Sequence, residues 1–200
     1  TVQADVGKTI AVVGSYIDAL SVNEAVTSAA TAAVINTNDV PIGLPTIDGA
    51  STENQTLTAN TSGISDEDGL GAFSYQWLRN GAAIPGATAS TYILGNADVA
   101  ANISVRVTYT DAYSNLETLT SAQTAVVTNV NDAPVGLPSI DGVVTEDQIL
   151  TANTTAITDA DGLGAFTYQW FRNGASITGA TASTYTLGDA DVGTQISLQV

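Results

Sequence analysis

The 200 residues carry 20 acidic side chains against four basic ones, no histidine and no cysteine, for a formal charge of −16. Nucleic acid and anionic membrane would repel such a chain, which suits bound cations or simple solubility. Without cysteine or histidine there is no disulfide, thiolate metal site or Ser-His-Asp triad, so any catalysis would fall to carboxylates.

From the N-terminus, "ADVGKTIAVVGSYIDALSVNEAVTSAATAAV" at Ala4 aligns without gaps on "ADVAANISVRVTYTDAYSNLETLTSAQTAVV" at Ala97. "NDVPIGLPTIDG" at Asn38 returns as "NDAPVGLPSIDG" at Asn131, the same offset of 93 (131 − 38). Between residues 38–107 and 131–200, 48 of the 70 aligned positions are identical. A fixed period of this kind marks an array of like units. Residues 1–37 read as the C-terminal part (strands F and G) of a first repeat. Residues 38–130 read as a complete repeat, and 131–200 as a third lacking its last strand. The whole reads as a window on a longer array. Apolar residues make up 44% and the acids are scattered, so the charge does not imply disorder. No apolar run approaches a membrane span, and no membrane insertion is expected.

Within the complete repeat, turn clusters separate short runs rich in Val, Ile, Thr and Tyr. In chain order they are "GLPTIDG", "TLTAN", "FSYQWLR", "STYIL", "NISVRVTYT" and a closing run "LETLTSAQTAVVTNV", read as one long strand. Alternation puts Phe73, Tyr75 and Trp77 on one face, and Ile103, Val105, Val107 and Tyr109 on another. About seven such strands in this length predict an all-β chain of tandem two-sheet sandwiches, resting on apolar packing alone. Trp77 and Trp170 are expected in the cores, and Arg79 and Arg172 opposite acids on neighbouring strands.

A central-strand Trp followed by "RNG", and "NADVAANISVRV" leading into a strand, resemble strand C and the E–F corner of immunoglobulin-like domains. The repeat resembles a narrower family, the tandem immunoglobulin-like or cadherin-like extender repeats of giant bacterial surface adhesins of the RTX, type I-secreted kind. "NDAP", "DADGLG", "YQWFRNGASITGATASTYTL" and "DADVG" carry the likeness. It implies a secreted, non-enzymatic stalk at the bacterial cell surface, stabilised by calcium. The expected partners are neighbouring repeats of the same chain and other copies of it.

Calcium takes six to eight oxygens at roughly 2.3–2.6 Å. A D-x-D-G run lets alternate carboxylates converge while the glycine turns the chain; Asp66 and Asp68 fit, as do Asp159 and Asp161. By immunoglobulin-like topology, Glu53 in the A–B turn and Asp98 in the E–F corner face the next repeat. The junction adds Asn129, Asn131 and Asp132, and Asp159 and Asp161 approach from the far side. This set is similar to a cadherin interdomain calcium site. The equivalent set at the first junction is Asp5, Asn36, Asn38, Asp39, Asp66 and Asp68. Asp111 and Asp18, in the F–G loops, are weaker candidates. D-x-D-G is equally ordinary turn chemistry, because aspartate side chains bond nearby backbone N–H groups.

A calcium-rigidified extender is therefore the expected function, and the chain is not expected to be an enzyme. A polysaccharide- or protein-binding repeat is one alternative. The other is a filament or matrix unit built by strand complementation between chains.

Overall fold

The structure, a computed structural model, describes residues 2–200. The chain is all-β and divides into two compact units, residues 1–129 and 130–200. Residues 1–37 and the complete repeat share the first unit.

In the complete repeat the polar/apolar alternation becomes two antiparallel sheets. Strands β3 (Thr46–Asp48), β4 (Thr56–Asn60) and β7 (Thr91–Ile93) form one, in the order β3-β4-β7. Strands β5 (Ser74–Arg79), β6 (Ala82–Ala83), β8 (Ile103–Thr110) and β9 (Leu116–Thr120) form the other, in the order β6-β5-β8-β9. Register sets Leu57 opposite Tyr92 and Trp77 opposite Val105. Leu57, Trp77, Leu94, Ile103, Val105, Val107 and Val127 make the core. The expected β8 face is buried in full, from Ile103 to Tyr109. Trp77 stacks on Tyr92 at 5.7 Å and its indole N–H donates to the Ala89 carbonyl at 2.9 Å, so its one polar atom is satisfied inside the core. The "RNG" turn between β5 and β6 needs two left-handed residues, which Asn80 (φ 48°) and Gly81 (φ 83°) supply.

The closing run is not one long strand. β9 stops at Thr120, where the Ser121 hydroxyl accepts the Val105 N–H and, further on, the Thr124 hydroxyl accepts the Ile103 N–H. These side chains take donors a straight strand would have taken through its carbonyls. The Ser121, Thr124 and Val127 N–H groups still donate to the Val105, Ile103 and Ala101 carbonyls, and Thr128 then bridges Thr52, on the side of the other sheet, in parallel.

The second unit repeats these elements 93 residues on. β10 (Ser139–Asp141), β11 (Ile149–Asn153) and β14 (Thr184–Thr186) form one sheet, and β12 (Gln169–Arg172), β13 (Ala175–Ser176) and β15 (Ile196–Gln199) the other. Trp170 is buried with Leu150 and Leu187. In the first unit, β1 (Val13–Ile17) and β2 (Asn23–Thr27) form a separate hairpin equivalent to β8 and β9. Its side chains are exposed along both strands.

Candidate functional site

The acidic loop ahead of the Trp77 strand is built as a turn and then used as a clasp. The Asp66 carboxylate accepts the Asp68 N–H at 2.9 Å, and the Asp66 carbonyl accepts the Gly69 N–H at 3.1 Å. Gly69 reverses the chain at φ 91°. The other Asp66 oxygen receives the Tyr109 hydroxyl, and burial together with that bond raises the Tyr109 pKa. The turn presents Asp68, only 2% exposed, to the linker in front of it. Asp68 Oδ2 accepts the Asp39 N–H at 2.7 Å and Oδ1 accepts the Gln3 side-chain amide at 2.7 Å. Two backbone bonds between Ile42 and Ser65 close the clasp.

The same device recurs in the second unit. Asp159 accepts the Asp161 N–H at 2.9 Å, Asp161 accepts the Asp132 N–H at 2.7 Å, and Val135 exchanges two backbone bonds with Thr158. The "GLP" segments run so close to this loop that a Cβ on Gly136 would lie 2.0 Å from the Ala156 carbonyl oxygen. The aspartates are thus both polar turn and linker anchor, two roles a local motif cannot distinguish.

Asp98 has a different task. Its carboxylate accepts Arg79 Nε at 2.7 Å, the Tyr92 hydroxyl at 2.9 Å and the Gly95 N–H at 2.9 Å. The bond to Asp98 raises the Arg79 pKa. The expected arginine–acid pair exists, but its acid lies in a 3-10 turn (Asn96–Asp98) rather than on a neighbouring strand. Arg172, Tyr185, Gly188 and Asp191 repeat the arrangement. Burial works to raise the Asp191 pKa, but bonds from Gly188, Arg172 and Tyr185 outweigh it and the net shift is downward. Asp111 braces its own loop through the N–H groups of Tyr113 and Asn115. Asp18 does the same with Leu20 and Val22.

The remaining candidates are dispersed. Asp5 accepts the Val2 N–H, and the Asn38 amide donates to Glu117 at 2.9 Å. The Asn131 amide donates to the Asp132 carbonyl. Glu53 is buried, and it and Asn129 have partners of their own. Among the described residues, Asn36 Oδ1 and Asp132 Oδ2 are shielded from solvent without a hydrogen bond. Asp39 and Glu67 line two shallow grooves of about 300 and 280 Å³ beside the first linker, and Asp66 lines the second of them. Among the described residues, no three acidic side chains converge closely enough to form a ready metal cluster. No helix among them is long and apolar enough to cross a membrane.

Sequence reasoning missed Gln3, Tyr109 and Glu117 as junction residues. Tyr109 had a usable signal: a tyrosine at the end of a buried strand needs a partner for its hydroxyl, and the loop acids lie at that end. Gln3 and Glu117 gave none. No family model and no curated protein matches the chain.

Proposed function

We propose that this chain is a spacer, a run of immunoglobulin-like units in the stalk of a large secreted bacterial surface adhesin. Its work is mechanical: it sets the distance between what lies on either side. The observation that supports this reading is the recurring clasp, in which a linker N–H (Asp39, then Asp132) is held by the second aspartate of the following D-x-D (Asp68, then Asp161). A linker tied to the next unit by a charge-assisted bond is stiffer than a free one, and stiffness is what a spacer needs.

Calcium is the proposed stiffening ligand. Asp68 is a buried carboxylate whose donors among the described residues are neutral, so its charge is left uncompensated. Asn36 Oδ1 and Asp132 Oδ2 are acceptor oxygens that a hard cation would satisfy. Each carboxylate oxygen has two lone pairs, so accepting one N–H leaves room for a metal bond. Asp39, Asp66, Asp68 and Asn36 at the first junction, and Asp132, Asp159 and Asp161 at the second, are the residues that would hold it. The affinity would be that of extracellular modules, roughly 10⁻⁴–10⁻³ M.

Small-angle scattering and thermal melting of the chain, in calcium and in chelator, test the reading. A longer, more uniform particle and a higher Tm in calcium are expected. The double variant Asp68→Asn, Asp161→Asn keeps an acceptor for each linker N–H but loses the charge. It should fold normally and show no response to calcium. Identical dimensions and melting of the parent chain with and without calcium would sink the calcium part.

A further inference from the structure

We infer that strand β7 pairs with β7 of a second copy of this chain, edge to edge and antiparallel, joining two sandwiches through one continuous sheet. β7 is an outer strand in the complete repeat, where the sheet order is β3-β4-β7. Its register on β4 is fixed, and two flanking bonds show which way its backbone groups point: Ala59 N–H to the Ser90 carbonyl, and Leu94 N–H to the Gln55 carbonyl. Opposed residues in an antiparallel pair alternate between bonded and non-bonded. Ser90, Tyr92 and Leu94 therefore turn towards β4, and the N–H and C=O of Thr91 and Ile93 turn outwards. Among the described residues these four groups have no hydrogen-bond partner. Ile93 is 66% exposed, and a groove of about 540 Å³ lies beside the edge, walled by Ile84, Pro85, Ala87, Tyr92 and Ile93.

Charge and symmetry identify the occupant. A chain with 20 acids and four bases repels its own copies wherever acids face one another. Its two longest runs without a charged residue are 80–97 and 173–188, and the first holds β6, the groove and β7. The outer strands on the other side of the sandwich are guarded: β3 ends on Asp48 and β9 carries Glu117. β7 has neither a charge nor a proline. Its outward groups also complement themselves. About a two-fold axis at Tyr92, Thr91 faces Ile93 of the second copy and Ile93 faces the second copy's Thr91. Each of these pairs exchanges two backbone bonds, so every outward group of both strands is satisfied. The exposed Ile93 side chain gains a cross-strand neighbour in Thr91.

Residues 131–200 carry the same device. β14 is an outer strand, and the Ala152–Ser183 and Leu187–Gln148 bonds turn the backbone groups of Thr184 and Thr186 outwards by the same alternation. A chain with two such edges can engage copies at both, which multiplies the avidity of a short pairing. The association lies away from the acidic linkers and needs no calcium.

Analytical ultracentrifugation of the 200-residue chain in chelator, over a wide concentration range and at low and high sodium chloride, tests this. Dimers and larger species that grow with concentration and with salt are expected, because screening relieves the repulsion between acidic copies. Ile93→Pro with Thr186→Pro removes one outward N–H from each edge, where proline is tolerated, and should leave a folded monomer. Ile93→Glu with Thr186→Glu should do the same through charge. Disulfide trapping reads the register, since the chain has no cysteine of its own. In a Thr186→Pro background, Thr91→Cys chains mixed with Ile93→Cys chains should form mixed disulfides well in excess of the same-residue ones. A parent chain that stays monomeric at every concentration and salt overturns the inference. So does association that survives both double variants, and so do mixed disulfides no more abundant than same-residue ones.

Discussion

Replacing Asp98 with alanine separates a structural carboxylate from a metal ligand. Asp98 is almost fully buried and accepts three donors, whereas the Arg79 side chain remains 32% exposed. On truncation the guanidinium turns to water, so the ion pair itself accounts for only about 1 kcal/mol. The Tyr92 hydroxyl and Gly95 N–H lose a charged acceptor in a half-buried corner, at about 1 kcal/mol each. The total is about 3 kcal/mol, or a Tm lower by roughly 10–20 °C for a unit of this size. Asparagine should cost about 2 kcal/mol, because its amide nitrogen must face one of the three donors. Urea unfolding in chelator, followed by Trp77 fluorescence in a Trp170→Phe background, reads the effect where Trp77 stacks on Tyr92. If Asp98→Ala matches its parent in chelator and loses stability only relative to the calcium-loaded form, Asp98 is a ligand and the brace is wrongly assigned.

Acid should weaken both units. Asp111 and Asp191 have lowered pKa values in the folded chain. The unfolded chain therefore binds more protons at low pH. The stabilisation is complete above about pH 4 and is lost as pH falls through the folded values; urea midpoints at pH 6 and pH 3 measure it. Gly136→Ala should destabilise the second unit by more than about 1 kcal/mol, since it combines φ 94° with a Cβ 2.0 Å from a carbonyl oxygen. A circular-dichroism melt checks this, and an unchanged Tm would show that the "GLP" segment can move away. Ser121→Ala leaves the buried Val105 N–H without its hydroxyl acceptor and should cost about 1–3 kcal/mol by the same melt.

The sandwich was legible in the sequence because its signals are periodic. Alternation along Ile103–Tyr109 named the buried face, and Trp77 announced the central strand. The break after Thr120 was not legible, because a serine or threonine hydroxyl reads the same in a strand as at its end. The acids were legible as turns and only partly as sites. Asp66 and Asp159 cap their loops, as D-x-D-G chemistry requires. Which donor would reach Asp68 depended on Asp39, 29 residues earlier, and on Gln3, 65 residues earlier. No local pattern carries that information. Asp98 was drawn towards calcium by its place in the topology, and Tyr92 six residues before it gave no warning that it would share the carboxylate.

Four basic residues cannot neutralise 20 acids, and the arginines that do pair are occupied in the two E–F corners. Asp39, Asp66 and Glu67 line one groove at the linker and Asp68 holds the Asp39 N–H, and among the described residues no arginine or lysine forms an ion pair with them. Two kinds of cation effect follow, and salt separates them. Mutual repulsion among partly exposed carboxylates falls with screening, and at 1 M monovalent salt the Debye length is only about 3 Å. If repulsion is all that calcium relieves, sodium chloride at that strength should raise the Tm as far as millimolar calcium does. Coordination makes a different demand, because oxygens shielded from solvent, such as Asn36 Oδ1 and Asp132 Oδ2, gain nothing from a diffuse ion atmosphere. Melting in chelator with high salt, against low salt with calcium, compares the two. Calcium stabilisation that persists in high salt, and disappears in the Asp68→Asn, Asp161→Asn variant, requires a bound ion. Equal stabilisation by the two salts assigns the linker's stiffness to the clasp alone.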